Sequence, residues 1–195
     1  MENLGVGALL HDIGKIFIDA RLFEQFGYLE PREFEQIKKH ARLGYDTIRN
    51  KFDVNFLAAH VAFQHHERED GSGYPRGLTA KRIHRFAKIV AVADSYDELT
   101  SQRARGISSH LAIREITAEA DAKFERSVIQ CFTAVVAPYL VGTVLQLNNG
   151  ETALVTDVSR NECRVMVLQG CKVGTTFNLY NNVNLSVDKV VKGET

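Results

Sequence analysis

The segment HHEREDGSGYPRG, residues 65–77, joins two adjacent histidines to a glycine-rich loop. Three glycines within seven residues allow positive φ and let the backbone approach a ligand closely, and Tyr74 offers an aromatic face with a hydroxyl. Composition alone favours a solvated turn, and a histidine pair by itself is weak evidence for a metal site. The segment therefore has to be interpreted together with the other histidines and carboxylates of the chain.

Further residues suited to metal binding occur in segments with a helical pattern. His11 directly precedes Asp12, His40 lies in a predicted helix, and Asp94 follows Val90 by one turn in a run that otherwise resembles a core. A carboxylate in such a run needs a strong partner, and a metal cation is one. Each residue taken singly is more often a packed or surface residue, but the set as a whole favours a metal site. The six candidate ligands are His11, Asp12, His40, His65, His66 and Asp94.

The types of ligand indicate which metals and which reaction this site suits. Imidazoles combined with carboxylates suit divalent iron, manganese, cobalt, nickel or zinc. Adjacent residues on a helix project about 100° apart, so His11 can hold one ion while the two oxygens of Asp12 bridge to a second. Two ions can contact both the attacking and the leaving oxygen of a phosphodiester. The pattern indicates a multi-metal site that hydrolyses a phosphoester.

The first part of the chain, up to about Ala137, has a helical pattern and predicts about five or six helices. Apolar residues at steps of three and four define one helix over residues 34–48 and another over residues 86–93. Ser109 is the predicted N-cap of a further helix, and the last helix spans roughly residues 127–137. The apolar positions of the helix after Ser109 are Ile113, Ile116, Ala120 and Phe124.

Beyond Pro138, short runs rich in valine, leucine and threonine predict strands. Turn signals separate them at Asn149-Gly150, Arg160-Asn161 and Gly170. The predicted strands are residues 141–147, 152–158, 163–168, 175–179 and 184–191. The fold class is therefore mainly α, with a helical domain over residues 1–137 and a small antiparallel β domain over residues 138–195.

Composition limits the partners. The 24 basic and 24 acidic residues give no net charge, which leaves no basic field for a nucleic acid polymer or an anionic membrane. Residues 127–150 carry no charge, but their polar residues and Pro138 indicate a buried helix and a strand, not a membrane span. Three cysteines in no close pair are expected to be reduced core residues. Without a signal peptide pattern, the chain is expected to be cytoplasmic.

Four segments resemble, in the same order, the motifs of the HD-GYP family of the HD superfamily. They are HDIGK (residues 11–15), IKKHARLGY (37–45), HHEREDGSGYP (65–75) and AVADSYDELTSQR (91–103). The resemblance implies a helical bundle of HD type and a metal-dependent phosphodiesterase that opens the bacterial second messenger cyclic di-GMP to pGpG and, in some members, to GMP. It also implies two or three divalent ions, with iron or manganese as the usual occupant, and a role in signal transduction.

Residue roles follow from the same resemblance. The six candidates His11, Asp12, His40, His65, His66 and Asp94 would be metal ligands, with Asp12 bridging. Lys15 would lie beside the scissile phosphate, so Asp12 and Lys15 would be catalytic. Arg103 would hold a phosphate, and Glu67 would orient a ligand histidine. The loop with Tyr74 would shape the substrate mouth or meet a diguanylate cyclase or an adaptor, and a homodimer is a further expectation.

Two departures from the family pattern leave alternatives open. The family draws further ligands from a helix upstream of the HD motif, but ten residues precede His11, so the domain is expected to be N-terminally short and its activity uncertain. After Arg103, residues 104–106 differ from the family pattern; either Arg105 supplies a phosphate contact or the contact is absent. The alternatives to the enzyme are a catalytically silent cyclic di-GMP receptor or interaction module, and a hydrolase of another nucleotide phosphoester.

Overall fold

The structure, a computed structural model, describes residues 2–24, 30–51, 54–101, 105–159, 162–182 and 184–192. The predicted fold class is confirmed, because helices come first and a small antiparallel sheet follows. The described part contains seven α-helices, more than the predicted five or six. They are α1 (Glu2–Leu10), α2 (Arg21–Glu24), α3 (Pro31–Ile48), α4 (Phe56–Gln64), α5 (Arg85–Thr100), α6 (Ser109–Ala118) and α7 (Arg126–Thr133).

Two compact units make up the chain, and each has its own core. The helical unit comprises Met1–Ile107 and Arg114–Gln130, and the sheet unit comprises Ser108–Ile113 and Cys131–Thr195. The division falls within α6 and α7. The boundary predicted between residues 137 and 138 stays a prediction.

Capping residues define where the helices of the helical unit begin. Pro31 occupies the first turn of α3, where its missing N–H costs no hydrogen bond, and Asn55 caps α4 by accepting from the backbone N–H of Leu57 at 2.9 Å. Helix α1 lies close against α4, because a Cβ on Gly7 would lie 2.8 Å from Val61 Cγ2. The core between these helices includes buried Ile48, Ala58, Ala59 and Ala62. Close packing of small residues brings the ends of several helices to one place.

Two helix ends differ from the prediction. Helix α6 ends at Ala118, so Ala120 and Phe124 lie outside it. The chain reverses there: Asp121 has a φ of 63°, and its N–H donates to the carbonyl of Phe124 at 2.8 Å. Helix α7 ends at Thr133, four residues before the predicted end. Apolar spacing alone does not register such a turn, because it reports burial and not the backbone hydrogen bonds.

The sheet unit contains β1 (Val144–Leu147), β2 (Thr152–Ser159), β3 (Glu162–Gln169), β4 (Thr176–Asn178) and β5 (Val187–Lys192). Their order is β4-β3-β2-β1-β5, with each neighbouring pair antiparallel. Alternate residues face the core, as the period of a strand requires. The buried set includes Leu145, Leu147, Ala153, Val155, Cys163, Val165 and Leu179.

The structure agrees with two of the predicted turns and with the predicted burial of one cysteine. Gly150 and Gly170 have φ values of 83° and 135°, as the turns require, whereas the Arg160-Asn161 turn lies outside the described residues. Cys163 is buried as predicted, but Cys131 and Cys171 are exposed. None of the helices within the described ranges has the length and apolar content needed to cross a lipid bilayer.

Candidate metal centre

The HDIGK segment follows α1 directly and packs against α3. His11 and Asp12 come after the last residue of α1, and Ile13–Phe17 forms a 3-10 helix. Gly14 is buried at the contact: a Cβ there would lie 2.0 Å from the carbonyl oxygen of His40 and 2.6 Å from the backbone nitrogen of Gly44. Because a glycine lets the two backbones touch, the HD pair lies beside His40.

The remaining candidate ligands lie in or next to three further helices. His40 lies in α3, His65 is the C-cap of α4 with His66 next to it, and Asp94 lies in α5. The ligand atoms form two groups, and within each group they lie within 4.8 Å of one another. We call Asp12, His40, His65 and His66 the first ligand group, and His11, Asp12 and Asp94 the second ligand group. All six predicted ligands therefore come together.

Asp12 belongs to both groups through different oxygens. Its Oδ1 lies 3.4 Å from His40 Nε2 and 3.7 Å from His65 Nε2, and its Oδ2 lies 3.4 Å from His11 Nε2. The two oxygens of Asp94 also face different histidines: Oδ1 lies 3.5 Å from His11 Nε2, and Oδ2 lies 3.9 Å from His66 Nδ1. The two carboxylates thus face imidazoles on both sides.

Backbone carbonyls fix the orientation of three imidazoles. Nδ1 of His11 donates to the carbonyl of Ala8 at 2.6 Å, and Nδ1 of His40 donates to that of Ile37 at 2.7 Å. Nδ1 of His65 donates to the carbonyl of Ala62 at 3.0 Å. A carbonyl only accepts, so in the neutral ring Nε2 carries the lone pair. Nε2 of His40 and Nε2 of His65 are therefore presented to the centre as acceptors, which is the form that binds metals, and His11 takes the same form when its Nε2 loses its proton.

The first ligand group fits a cation. Nε2 of His40 and Nε2 of His65 face each other at 3.2 Å, although both carry lone pairs. Asp12 Oδ1 is buried there without a hydrogen-bond partner in the described part of the chain. An orphaned carboxylate oxygen and two opposed lone pairs are costly in a buried place, and a divalent ion bound among them would remove that cost.

Burial and charge set the protonation of these groups. Burial lowers the pKa of His40 and His66 and lowers that of His65 to about 4, so these rings are neutral at pH 7. Burial also lowers the pKa of His11, but the hydrogen bonds to Asp12 and Asp94 outweigh it and raise the pKa to about 10. Burial opposes ionisation of Asp12, yet hydrogen bonds from His11 and Lys15 hold its pKa well below the usual range.

The other predicted site residues have different outcomes. Lys15 Nζ donates to Asp12 Oδ2, and the ring of Tyr74 stacks on that of His66 at 4.6 Å, so both lie at the centre. The guanidinium of Arg105 binds the carboxylate of Glu115 through two hydrogen bonds, at 2.6 and 3.2 Å. Arg103 lies outside the described residues.

Glu67 has a contact other than the predicted one. Its buried carboxylate accepts from the backbone N–H of Arg76 at 2.9 Å and of Leu78 at 2.8 Å. These hydrogen bonds go to the loop and not to a histidine, and backbone carbonyls orient His11, His40 and His65; that Glu67 orients a ligand histidine stays a prediction. Glu67 holds the glycine-rich loop, which packs so closely that a Cβ on Gly73 would lie 2.4 Å from the carbonyl oxygen of His66.

Sequence reasoning missed two charged residues near the centre, Arg68 and Glu98. Both line a cavity of about 570 Å³ that His66 and Tyr74 also line. Glu98 follows Asp94 by four residues in α5, and that spacing puts both on one face of the helix. The spacing was a usable signal for Glu98, whereas nothing in the sequence distinguishes Arg68 from a solvated residue of the loop.

Comparisons with known proteins agree with the motifs and the fold. The family model of the HD domain matches residues 1–128. A cyclic di-GMP phosphodiesterase of Pseudomonas aeruginosa is 35% identical over 159 residues, 80% of this chain and 38% of that protein. A cyclic di-GMP phosphodiesterase of Thermotoga maritima is 42% identical over 135 residues, 68% of this chain and 37% of that protein.

A solved structure is also similar. It is that of an HDG"Y"P protein from Bdellovibrio bacteriovorus, with a TM-score of 0.55, 26% identity, and coverage of 66% of this chain and 41% of that one. The helical fold, the two ligand groups and the family match define the class: the chain belongs to the HD domain family. Within it, the resemblance to HD-GYP proteins is confirmed. The chain spans less than two fifths of the length of the two relatives.

Proposed function

We propose that this chain is the catalytic part of a metal-dependent phosphodiesterase that hydrolyses cyclic di-GMP to pGpG, with GMP as a further product. The observation that carries the proposal is the sharing of Asp12 by two ligand groups, the first of which also supplies His66 to the wall of a cavity of about 570 Å³. The names of the two relatives support the substrate. Because the chain spans a minor part of each relative, the activity of the whole protein is part of the proposal.

HD domain phosphohydrolases bind divalent metals, and the donors here suit them. The first ligand group would hold one ion, and the second ligand group would hold another through His11 and Asp94, with Asp12 bridging. Nitrogen and oxygen donors together favour iron or manganese over magnesium or calcium, and two or three ions are proposed. Bound ions would supply positive charge to the phosphodiester and lower the pKa of water.

Chain residues would complete the site around the phosphate. Lys15, held by Asp12, can keep a cation beside the scissile phosphate and stabilise the charge that develops there. We propose Arg103 as a phosphate contact. Arg105 would become a second contact only by leaving Glu115. Tyr74, stacked on His66, would form the wall beside the reacting phosphate.

Metal-loaded protein tests this proposal directly. The chain, purified without metal and loaded with Fe²⁺ or Mn²⁺, should convert cyclic di-GMP to pGpG, as followed by chromatography. His66→Ala should lose metal, measured by elemental analysis, because it removes a donor from the first ligand group. The matched control is His60→Gln, a histidine in α4 outside both ligand groups. Unchanged metal content in His66→Ala would contradict the ligand assignment, and a loaded chain without turnover would contradict the activity.

The cellular setting is also a proposal. We propose a cytoplasmic protein in which the glycine-rich loop with Tyr74 meets a diguanylate cyclase or an adaptor. The exposure of Pro75, Arg76 and Gly77 supports this contact. A binding assay with a purified cyclase domain tests it with Arg76→Ala, and sedimentation of the chain tests the proposed homodimer.

A further inference from the structure

The cavity beside the metal ligands has the size and lining of a nucleobase site. Its volume of about 570 Å³ lies within the range of about 300–1,000 Å³ of small-molecule sites. His66 belongs both to the first ligand group and to the wall, so an occupant lies next to the metal ligands. Aromatic and aliphatic side chains supply faces on which a base can stack; they include Phe34, Leu99, Ile116 and Phe124.

One carboxylate of the wall differs from the others. Glu115 is bound by Arg105 at 2.6 Å, and Glu119 is bound by Lys123 at 3.0 Å. Glu98 makes no hydrogen bond or ion pair with any residue that the structure describes. Burial of part of the side chain and the nearby Asp94 carboxylate raise the pKa of Glu98. Glu98 is solvent-exposed, so its carboxylate can accept hydrogen bonds from a ligand that replaces water in the cavity.

Arg68 is a cation of the cavity wall that has no carboxylate bound to it within the described residues. Arg68 Nη1 donates to the carbonyls of His65 and Glu67, each at 3.0 Å, and Nη2 donates to Ser95 Oγ at 3.4 Å. A guanidinium has five N–H donors, so two remain. Within the described ranges, no carboxylate lies within 4.0 Å of Arg68, and its Cζ lies 5.0 Å from the ring centroid of Phe124. The guanidinium is therefore fixed in place and keeps two N–H donors for a ligand.

A guanidinium with two unused N–H donors and a carboxylate without a donor from the described residues match the edge of guanine. Guanine presents the acceptor O6 beside two donors, the N1–H and the N2 amine, and a carboxylate can accept from both donors while a guanidinium donates to O6. Adenine presents an amine donor and the acceptor N1 in the corresponding places. It would therefore place a donor against Arg68 and an acceptor against Glu98, and like polar groups facing each other are unfavourable.

We propose that the cavity is a guanine-reading pocket, in which Glu98 accepts from N1–H and the N2 amine and Arg68 donates to O6. The inference rests on the proposed function, since it assigns one base of cyclic di-GMP to this cavity. Arg68 needs no reorganisation on binding, because three hydrogen bonds already hold its guanidinium. Glu98 and Arg68 are thus specificity-determining residues, separate from the metal ligands.

Mononucleotides test the pocket without requiring catalysis. Calorimetric titration of the whole metal-loaded chain with 5′-GMP, IMP and AMP should give tighter binding of GMP than of AMP by on the order of tenfold or more. IMP lacks the N2 amine and should fall between them. Glu98→Gln should weaken GMP and remove the preference, whereas Glu119→Gln, the same charge change on the same wall, should keep it. Thermal melting and metal content confirm that each variant is folded.

Equal affinity of the unmodified chain for GMP and AMP would overturn the inference. So would an equal loss of both nucleotides in Glu98→Gln, which would indicate a general charge effect. A separate assay, the hydrolysis of cyclic di-GMP, tests the proposed function. Turnover without a preference for guanine rejects only the pocket, and a guanine preference without turnover rejects only the phosphodiesterase activity.

Discussion

Replacing Gly14 by alanine should remove metal binding without touching a ligand. Gly14 lies two residues after Asp12 and packs on the backbone of α3, where a Cβ would lie 2.0 Å from the carbonyl oxygen of His40. Real Cβ atoms essentially never approach other atoms closer than 3.0 Å. The HDIGK segment or α3 must therefore move by at least about 1 Å, since the nearest atoms are backbone atoms that cannot rotate away.

Such a movement is large compared with what a metal site tolerates. Ligand distances in metal sites hold to within about 0.2 Å, and Asp12 would be displaced relative to His40, with which it shares the first ligand group. We expect metal affinity to fall by at least about 10- to 100-fold, the usual effect of disturbing the support of a ligand. Overpacking of this kind should also destabilise the apo-protein by about 1–3 kcal/mol.

The assay combines metal titration with urea denaturation of the apo-protein, and Gly5→Ala is the matched control. A Cβ on Gly5 would meet nothing within 4 Å, and Gly5 lies within α1. Alanine there should therefore stabilise the helix by about 0.5–1 kcal/mol and leave metal affinity unchanged. If Gly14→Ala binds metal like the unmodified chain and unfolds at the same urea concentration, the close packing of the HD segment on α3 does not position the ligands.

Four further predictions follow from the described contacts. Glu67→Gln should destabilise the chain by about 1–3 kcal/mol in urea denaturation, because an amide NH₂ would face the backbone N–H of Arg76 or Leu78. An unchanged urea concentration at the midpoint of unfolding would contradict the role of Glu67 in holding the loop. Lys15→Ala should lower kcat on the order of 10²-fold while keeping metal content, and an equal loss of metal would assign Lys15 a structural role. The pKa of His11 is raised to about 10 in the apo-protein, so its charge stabilises the apo-form fully below pH 6.5, and that stability is lost as pH rises towards 10. Because a metal ion must displace the same proton, metal affinity should rise with pH over that interval. A flat profile of metal affinity against pH would exclude His11 as a ligand. Leu145→Ala, in the core of the sheet unit, should lower the free energy of unfolding of that unit by about 2–5 kcal/mol. Metal content per chain should stay unchanged, because all six candidate ligands belong to the helical unit, and a loss of metal would contradict this independence.

The extent of agreement between sequence and structure depends on the kind of residue. Helix α3 follows from apolar periodicity, because it buries one regular face, and the five strands follow from short runs rich in valine, leucine and threonine between turn signals. The ends of α6 and α7 do not, because a residue such as Asp121 with positive φ is selected by local hydrogen bonds. The hydrogen bonds of Glu67 to Arg76 and Leu78 could not be predicted for a similar reason: adjacency to His66 in sequence does not determine which backbone donors its carboxylate reaches.

The sequence by itself determined the candidate ligands, the order of the motifs and the helical class, since a metal site requires particular donor types and a helix requires a particular period. Only the tertiary structure decided which oxygen of Asp12 faces which histidine, that His40 and His65 present their Nε2 atoms to one another, and that Arg68 and Glu98 share a cavity wall. These facts depend on how four separate segments pack through Gly14 and the helix ends. Distances between segments are set by that packing, and no pattern within one segment contains them.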